Sequence, residues 1–171
     1  MNIVLIGYRG TGKTTIAREL GKKLLRNVLS TDEIIEKRLK KTIPEIVKEK
    51  GWGFFRRSEQ KVVKELSKAD ACIIDCGGGV ILRKENIKNL KKNGEIFLLT
   101  SSPEKIRQRI MGSKKRPALK KGGSTAEEIE EALKERKKAY ESSADFVVDS
   151  NGAIKDAVDE IMDILKNKNI R

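Results

Sequence analysis

Residues 2–14 read Asn2-Ile3-Val4-Leu5-Ile6-Gly7-Tyr8-Arg9-Gly10-Thr11-Gly12-Lys13-Thr14, and the transition at Gly7 decides the fold. Ile3–Ile6 is an apolar run of strand length, Gly7 to Thr14 has the form G-x-x-x-x-G-K-[ST], and a helix-forming stretch, Thr15 to Leu25, follows at once. A strand, this spacing and then a helix is the context that a phosphate-binding loop requires. Glycines let successive backbone N–H groups point into one concavity, the helix N-terminus adds positive potential, and Lys13 supplies a mobile cation for the β- and γ-phosphates. Thr14 offers its hydroxyl to Mg²⁺, so the expected nucleotide contacts are Gly10, Thr11, Gly12, Lys13, Thr14 and Thr15. An incidental lysine in a flexible turn would not explain why strand, spacing, Lys-Thr pair and helix agree.

Outward from this loop, strand-like runs recur at Asn27–Ser30, Ala71–Cys76, Glu95–Thr100 and Asp145–Asp149, with helical patterns between them. Alternation of that kind implies a parallel sheet covered on both faces. The expected fold is therefore α/β, a five-stranded parallel sheet between two helical layers. Helix starts are marked by Thr42-Ile43-Pro44-Glu45, a capping box with Pro in the first turn, and by Ser102-Pro103-Glu104. Residues 111–125 break the pattern with Gly112, Pro117, Gly122 and Gly123 around Lys114-Lys115-Arg116, which suits either a mobile lid or a basic surface loop.

With 171 residues the chain suits one domain, residues 1–171, with the small lid as its only appendage. Its net charge of +13 favours phosphorylated or acidic partners and raises contact with nucleic acid as a possibility. Most lysines, however, alternate with Glu on helix faces, as from Glu127 to Lys138, which is the pattern of a solvated surface. No specific nucleic-acid partner is expected. The low aromatic content of 4% with many Lys, Glu and Ile also fits a protein from a warm environment.

Cys72 and Cys76 are four apart on one extended run, a spacing that does not let them bridge, and they lack metal-ligand company. Buried free thiols suit a reducing cytoplasm. There is no signal peptide and no apolar run near the ~20 residues that span a bilayer, so no membrane partner is expected. The chain contains 0 histidines, which excludes His-dependent triads and His metal sites and leaves acid–base work to carboxylates, Lys or water.

Asp32 stands at the end of the second strand-like run, expected beside the first strand, on the sheet edge where open α/β folds bind ligands; it could equally cap the helix that follows. The third run, Ile73-Ile74-Asp75-Cys76, leads straight into Gly77-Gly78-Gly79, where a ligand could touch bare backbone. Asp75 resembles the acidic end of a Walker-B strand, with a structural role as the alternative. Phe54-Phe55-Arg56-Arg57 joins apolar anchors to cations at a helix start, and Arg136 follows the 111–125 segment. Arginines converging with an acid and glycine backbone near a phosphate loop suit a small anionic substrate, because guanidinium groups bind carboxylates bidentately.

The ordered set Gly7-to-Thr14, Asp32, Phe55-Arg56-Arg57-Ser58-Glu59, Gly77-Gly78-Gly79, Arg116-Pro117 and Arg136 with Tyr140 resembles the shikimate kinases, a nucleoside-monophosphate-kinase-like branch of the P-loop proteins. The resemblance spans nearly the whole chain. It implies transfer of the γ-phosphoryl of ATP to the 3-hydroxyl of shikimate with Mg²⁺, by a monomer. It implies a substrate-binding helical segment over about residues 32–60, with Asp32 drawing the proton from the attacking hydroxyl and Arg56 and Arg136 clamping the carboxylate. Backbone of Gly77, Gly78 and Gly79 would complete that pocket. Arg116 would close over the phosphates with the lid, and Arg109 would lie along the adenine.

The chain departs from the family pattern at Ser30, where an Asp is common; Asp75 or Asp32 could then support the metal's water shell. Trp52 stands for a frequent Glu, Val47 for an aromatic, and the turn Asp149-Ser150-Asn151-Gly152 lacks a frequent proline. A gluconate or nucleotide kinase is the alternative within the fold, since gluconate also carries a carboxylate. An ATP-dependent nucleic-acid-binding module is the alternative outside it.

Overall fold

A strand buried on both faces belongs at the middle of a parallel sheet, and that is the place of β1 (Asn2–Ile6), every residue of which is buried. The computed structural model of the chain describes residues 1–111 and 126–168. Five parallel strands lie in the order β2-β3-β1-β4-β5, with β2 at Val28–Ser30, β3 at Ile73–Asp75, β4 at Gly94–Thr100 and β5 at Phe146–Asp149. Helices α1 (Lys13–Leu24), α2 (Thr31–Leu39), α3 (Ile43–Leu66), α4 (Lys84–Leu90), α5 (Pro103–Met111), α6 (Ala126–Ser143) and α7 (Ile154–Asn167) connect or follow them.

Alternation along the strands sorts the core into two layers. Ile3, Leu5, Phe97 and Leu99 face α1 and α7, meeting Ile16, Leu20, Val158 and Ile161. Val4, Ile6, Ile96 and Leu98 point the other way and meet Val63 of α3, Leu90 of α4 and Tyr140 of α6. A period of two along each strand thus holds helices on both faces, which is the three-layer α/β architecture expected.

Two readings of the sequence are corrected here. β2 is not beside β1: β3 lies between them, paired with β2 through Val28↔Ile73 and with β1 through Ile3↔Ile73. Chain order does not give sheet order when helical crossovers allow a strand to be skipped. Nor does Asp32 cap α2: the cap is Ser30, whose hydroxyl accepts from Glu33 N–H at 3.4 Å, and Asp32 sits in the first helical turn. The capping box at Thr42 is present, with the Glu45 carboxylate accepting from Thr42 N–H at 2.7 Å, and Lys105 N–H donates to Ser102 Oγ at 3.3 Å at the start of α5.

α3 is two helical pieces joined at Gly51, whose φ of 75° and ψ of 165° lie outside helical space. The second piece carries Phe55, Arg56 and Glu59 toward the sheet, so the bend lets one segment cover α2 and also reach the strand ends.

Phe97 is fully buried at the sheet centre and stacks on Phe146 of β5 with ring centroids 4.9 Å apart. Phe97→Ala should lower stability by about 3–5 kcal/mol, read as a fall in the urea midpoint, because the cavity opens between two rigid strands.

Candidate active site

The turn after β1 wraps the start of α1, which begins at Lys13, two residues before the expected Thr15. Gly12 is the N-cap at φ 91°, a left-handed conformation that favours glycine and turns the first N–H groups of α1 into the loop. Lys13 is nearly buried and its Nζ donates to the Gly7 and Tyr8 carbonyls, each at 2.9 Å. Thr11 hydroxyl donates to Tyr8 O at 2.8 Å, stitching the loop to itself. Thr14 hydroxyl donates to Asp75 Oδ2 at 2.7 Å, so the loop threonine meets the acid at the end of β3. Thr15 lies beside them on the exposed side of α1.

Arg109, near the end of α5, spans two loops: its guanidinium donates to Gly10 O at 3.4 Å and to Ser150 O at 2.7 Å. It therefore ties the phosphate loop to the β5–α7 turn, where the adenine is expected.

The turn after β3 forms the opposite wall. Gly77 N–H donates to Thr31 Oγ1 at 2.9 Å, and a Cβ on Gly77 would stand 2.5 Å from Asp32 Oδ1, so the acid packs against bare backbone. A Cβ on Gly79 would overlap the Arg56 guanidinium, and one on Gly78 would come within 3.2 Å of Arg9 N in the phosphate loop. The glycine run is thus the surface on which Asp32, Arg56 and the phosphate loop meet.

Arg56 is held from several sides. Its Nη1 donates to both carboxylate oxygens of Glu59 at 2.9 Å, and its guanidinium lies 5.2 Å from the Trp52 ring centroid and 5.1 Å from that of Phe55. Glu59 has 0% exposure, and burial raises its pKa above the ordinary 4.5, with the Arg56 charge opposing and Asp32 adding to the rise. Arg136 on α6 is half-buried, with its guanidinium 5.8 Å from the Tyr8 ring centroid. The hydroxyl of Tyr140 donates to Gly78 O at 2.5 Å. Cys76 is fully enclosed, and burial together with the neighbouring Asp75 and Glu59 charges pushes its thiol well above 9.0, which keeps it a neutral core group.

The structure therefore brings together Asp32, Arg56 and Gly77–Gly79 at the mouth of the phosphate loop, with Arg136 reaching the same loop at Tyr8. Arg116 and the rest of residues 112–125 lie outside the described residues. Glu59 and Tyr140 entered the sequence reading only as parts of a pattern; the i,i+3 spacing of Arg56 and Glu59 was the available signal for the first. Tyr140 pairs with a carbonyl 62 positions away, for which no local signal exists. A cavity of about 260 Å³ bordered by Tyr8, Leu98, Leu133 and Tyr140 adjoins this cluster without including Asp32 or Arg56.

Comparison with known proteins shows the family. A family model described as shikimate kinase matches residues 9–166. The chain is 39% identical to the shikimate kinase of Pelotomaculum thermopropionicum over 168 residues, covering 98% of this chain and 97% of the relative. A structure of shikimate kinase from Acinetobacter baumannii in complex with shikimate superposes with a TM-score of 0.91 at 32% identity, covering 99% of this chain and 95% of that one. The shikimate kinase of Aquifex aeolicus gives 0.84 at 32% identity, with 99% of each chain covered.

A buried carboxyl whose folded-state pKa is raised contributes stability that is complete below the unfolded pKa and is lost as pH rises through the folded one. For Glu59 that loss begins near 4.5 and runs upward. Glu59→Gln cannot ionise, so the urea midpoint of the parent, measured relative to that of the variant, should fall as pH is raised from 4 to 7; a rising or flat difference would contradict the assignment.

Proposed function

The chain belongs to the shikimate kinase family, and we propose that the cleft between the β1 and β3 turns is where its reaction takes place. The enzyme transfers the γ-phosphoryl group of ATP to the 3-hydroxyl of shikimate, giving 3-phosphoshikimate and ADP, in aromatic amino acid biosynthesis. The observation that carries the residue assignment is the convergence of Asp32 and Arg56 on the Gly77–Gly79 turn, beside the phosphate loop.

Backbone N–H groups from Gly10 to Thr15 and the start of α1 bind the phosphates, and Lys13, already on the loop, offers its ammonium to the oxygens on which charge builds as the bond to ADP breaks. Arg56 and Arg136 hold the substrate carboxylate, with backbone N–H groups of Gly78 and Gly79 as further donors, while Gly77, whose N–H goes to Thr31 Oγ1, lines the pocket with bare backbone. This fixes the ring so that one hydroxyl faces the γ-phosphorus. Asp32 accepts the proton of that hydroxyl as its oxygen bonds to phosphorus. Orientation and charge neutralisation supply most of the rate, because phosphoryl transfer needs little else from the protein. Arg109 flanks the nucleotide base.

The Thr14 hydroxyl and the Asp75 carboxylate are hard oxygen donors 2.7 Å apart at the loop, a set that suits Mg²⁺ shared with phosphate oxygens. When bound there, the ion neutralises phosphate charge. Ser30, the register partner of Asp75, and Asp32, in the first turn of the helix that Ser30 caps, are the groups that would support its waters. We place the enzyme in the cytoplasm, where the two buried thiols stay reduced, with small molecules as its partners. We read it as a monomer; among the described residues only five large apolar side chains, Leu25, Trp52, Leu82, Met111 and Val147, stand well exposed.

Coupled measurement of ADP release tests the assignment. Arg56→Ala should raise the KM for shikimate about ten- to a hundredfold with little change for ATP, the loss of a charge-assisted pair being worth roughly 1.5–3 kcal/mol. A rise confined to the KM for ATP would move Arg56 to the nucleotide site. Asp32→Asn should leave nucleotide binding intact and lower kcat by about 10²–10⁴-fold, since an amide cannot take the proton.

A further inference from the structure

The two arms of the acid-binding pocket come from distant parts of the chain. The Gly77–Gly79 turn follows β3, whereas Arg136 rides on α6, and nothing local to either element sets the distance between them. Tyr140 touches both. It lies one helical turn beyond Arg136, with 4% exposure, and its hydroxyl donates to the Gly78 carbonyl at 2.5 Å. Across from it the Tyr8 ring of the phosphate loop faces the Arg136 guanidinium at 5.8 Å.

Resting on the reading of Arg136 and the glycine turn as carboxylate-binding groups, we propose that Tyr140 is a positioning residue, its hydroxyl on the Gly78 carbonyl fixing the glycine-turn donors at a set distance from Arg136. A trans peptide places its C=O and N–H in one plane, pointing opposite ways. Pinning the Gly78 carbonyl from the α6 side therefore directs the Gly79 N–H away from α6, and the space at Gly79 is where the Arg56 guanidinium lies. The glycine turn is tied at Gly77 by its N–H to Thr31 Oγ1 and at Gly79 by the Leu82 N–H, and Tyr140 adds the anchor at the intervening Gly78, the one that comes from the helix carrying Arg136.

The phenol suits this task at all working pH values. Burial pushes its pKa up to about 12, against a downward pull from Arg136 by hydrogen bonding and charge, so the hydroxyl keeps its proton and donates. The ring also belongs to the core layer formed by Val4, Ile6 and Leu98. Removing the whole side chain would mix packing with positioning, whereas phenylalanine removes the hydroxyl alone.

Steady-state kinetics of Tyr140→Phe, Arg136→Ala and the double variant, with shikimate and ATP varied in turn, test the idea. Tyr140→Phe should raise the KM for shikimate roughly three- to tenfold, the effect of one lost hydrogen bond, while the KM for ATP stays within twofold. In the Arg136→Ala background the same change should matter less, because a spacing between two groups has value only while both are present. A shikimate KM within twofold of the parent in Tyr140→Phe, or a rise of equal size with and without Arg136, overturns the positioning role. If Arg136→Ala alone leaves that KM unchanged, Arg136 is not in the pocket, and the inference falls with that reading. A raised KM in Arg136→Ala beside an unchanged one in Tyr140→Phe removes the inference and keeps the pocket.

Discussion

Everything in the site hangs on the parallel pairing of β1 with β3. The register Leu5↔Asp75, closed by the bond from Cys76 N–H to Leu5 O at 3.1 Å, makes the two strands end at one level. One chain then enters the phosphate loop and the other enters the glycine turn, side by side. A Cβ on Gly78 would press on Arg9 N and Gly7 O, so the two turns are in backbone contact, and no side chain could stand between them. A slip of the register by one residue would turn Asp75 to the opposite face of the sheet and part it from Thr14.

Charge inside this frame behaves differently from charge on the surface. Exposed pairs such as Lys23–Asp159 and Arg38–Glu65 decorate a strongly basic exterior, where solvent screening leaves each worth little. The Arg56–Glu59 pair has a wholly buried carboxylate, and losing one partner of such a pair costs about 3–5 kcal/mol because the other is stranded. The bond is also asymmetric: Glu59 meets one nitrogen of the Arg56 guanidinium, Nη1. The rest of the fork remains for a second carboxylate, that of the substrate, in the geometry guanidinium groups favour. Glu59 thus orients the arginine without using up its binding capacity.

What the sequence disclosed depended on distance along the chain. The phosphate-loop motif is legible because it is contained in eight consecutive residues, Gly7 to Thr14, which lie between β1 and α1, the helix starting at Lys13, earlier than the sequence suggests. The five strands were legible from apolar runs, with ends shifted by one or two residues: the run Ala71–Cys76 contracts to Ile73–Asp75 because Cys72 and Cys76 flank the paired residues. The order of the strands was not legible, and so β2 was expected beside β1. Capping by Asp32 is one of two roles its sequence position allows, and because Ser30 also has a side chain able to cap, only backbone geometry decides between them. The burial of Glu59 is not legible in its place within the Phe55-to-Glu59 pattern, since burial is a property of the whole fold. The bond from Tyr140 to Gly78 needs two crossovers and a helix to be in place before it exists.

Ser30 shows how the same frame constrains departures from the family pattern. As the register partner of Asp75 it shares that residue's face of the sheet, where Thr14 already donates to the carboxylate. A second acid at position 30 would set like charges on adjacent strands, next to Asp32 in the first turn of α2, and would tend to raise the pKa of the group meant to accept a proton. Serine keeps the helix cap, for which it is as good as aspartate, and adds no charge. Serine at position 30 therefore adds no third carboxylate to the two already at the glycine turn, Asp32 and Glu59, or to Asp75 at the loop threonine. In a site that must bind the negative charge of phosphates and of a carboxylate at once, one fewer acid is a physical gain that the phosphate loop itself does not have to supply.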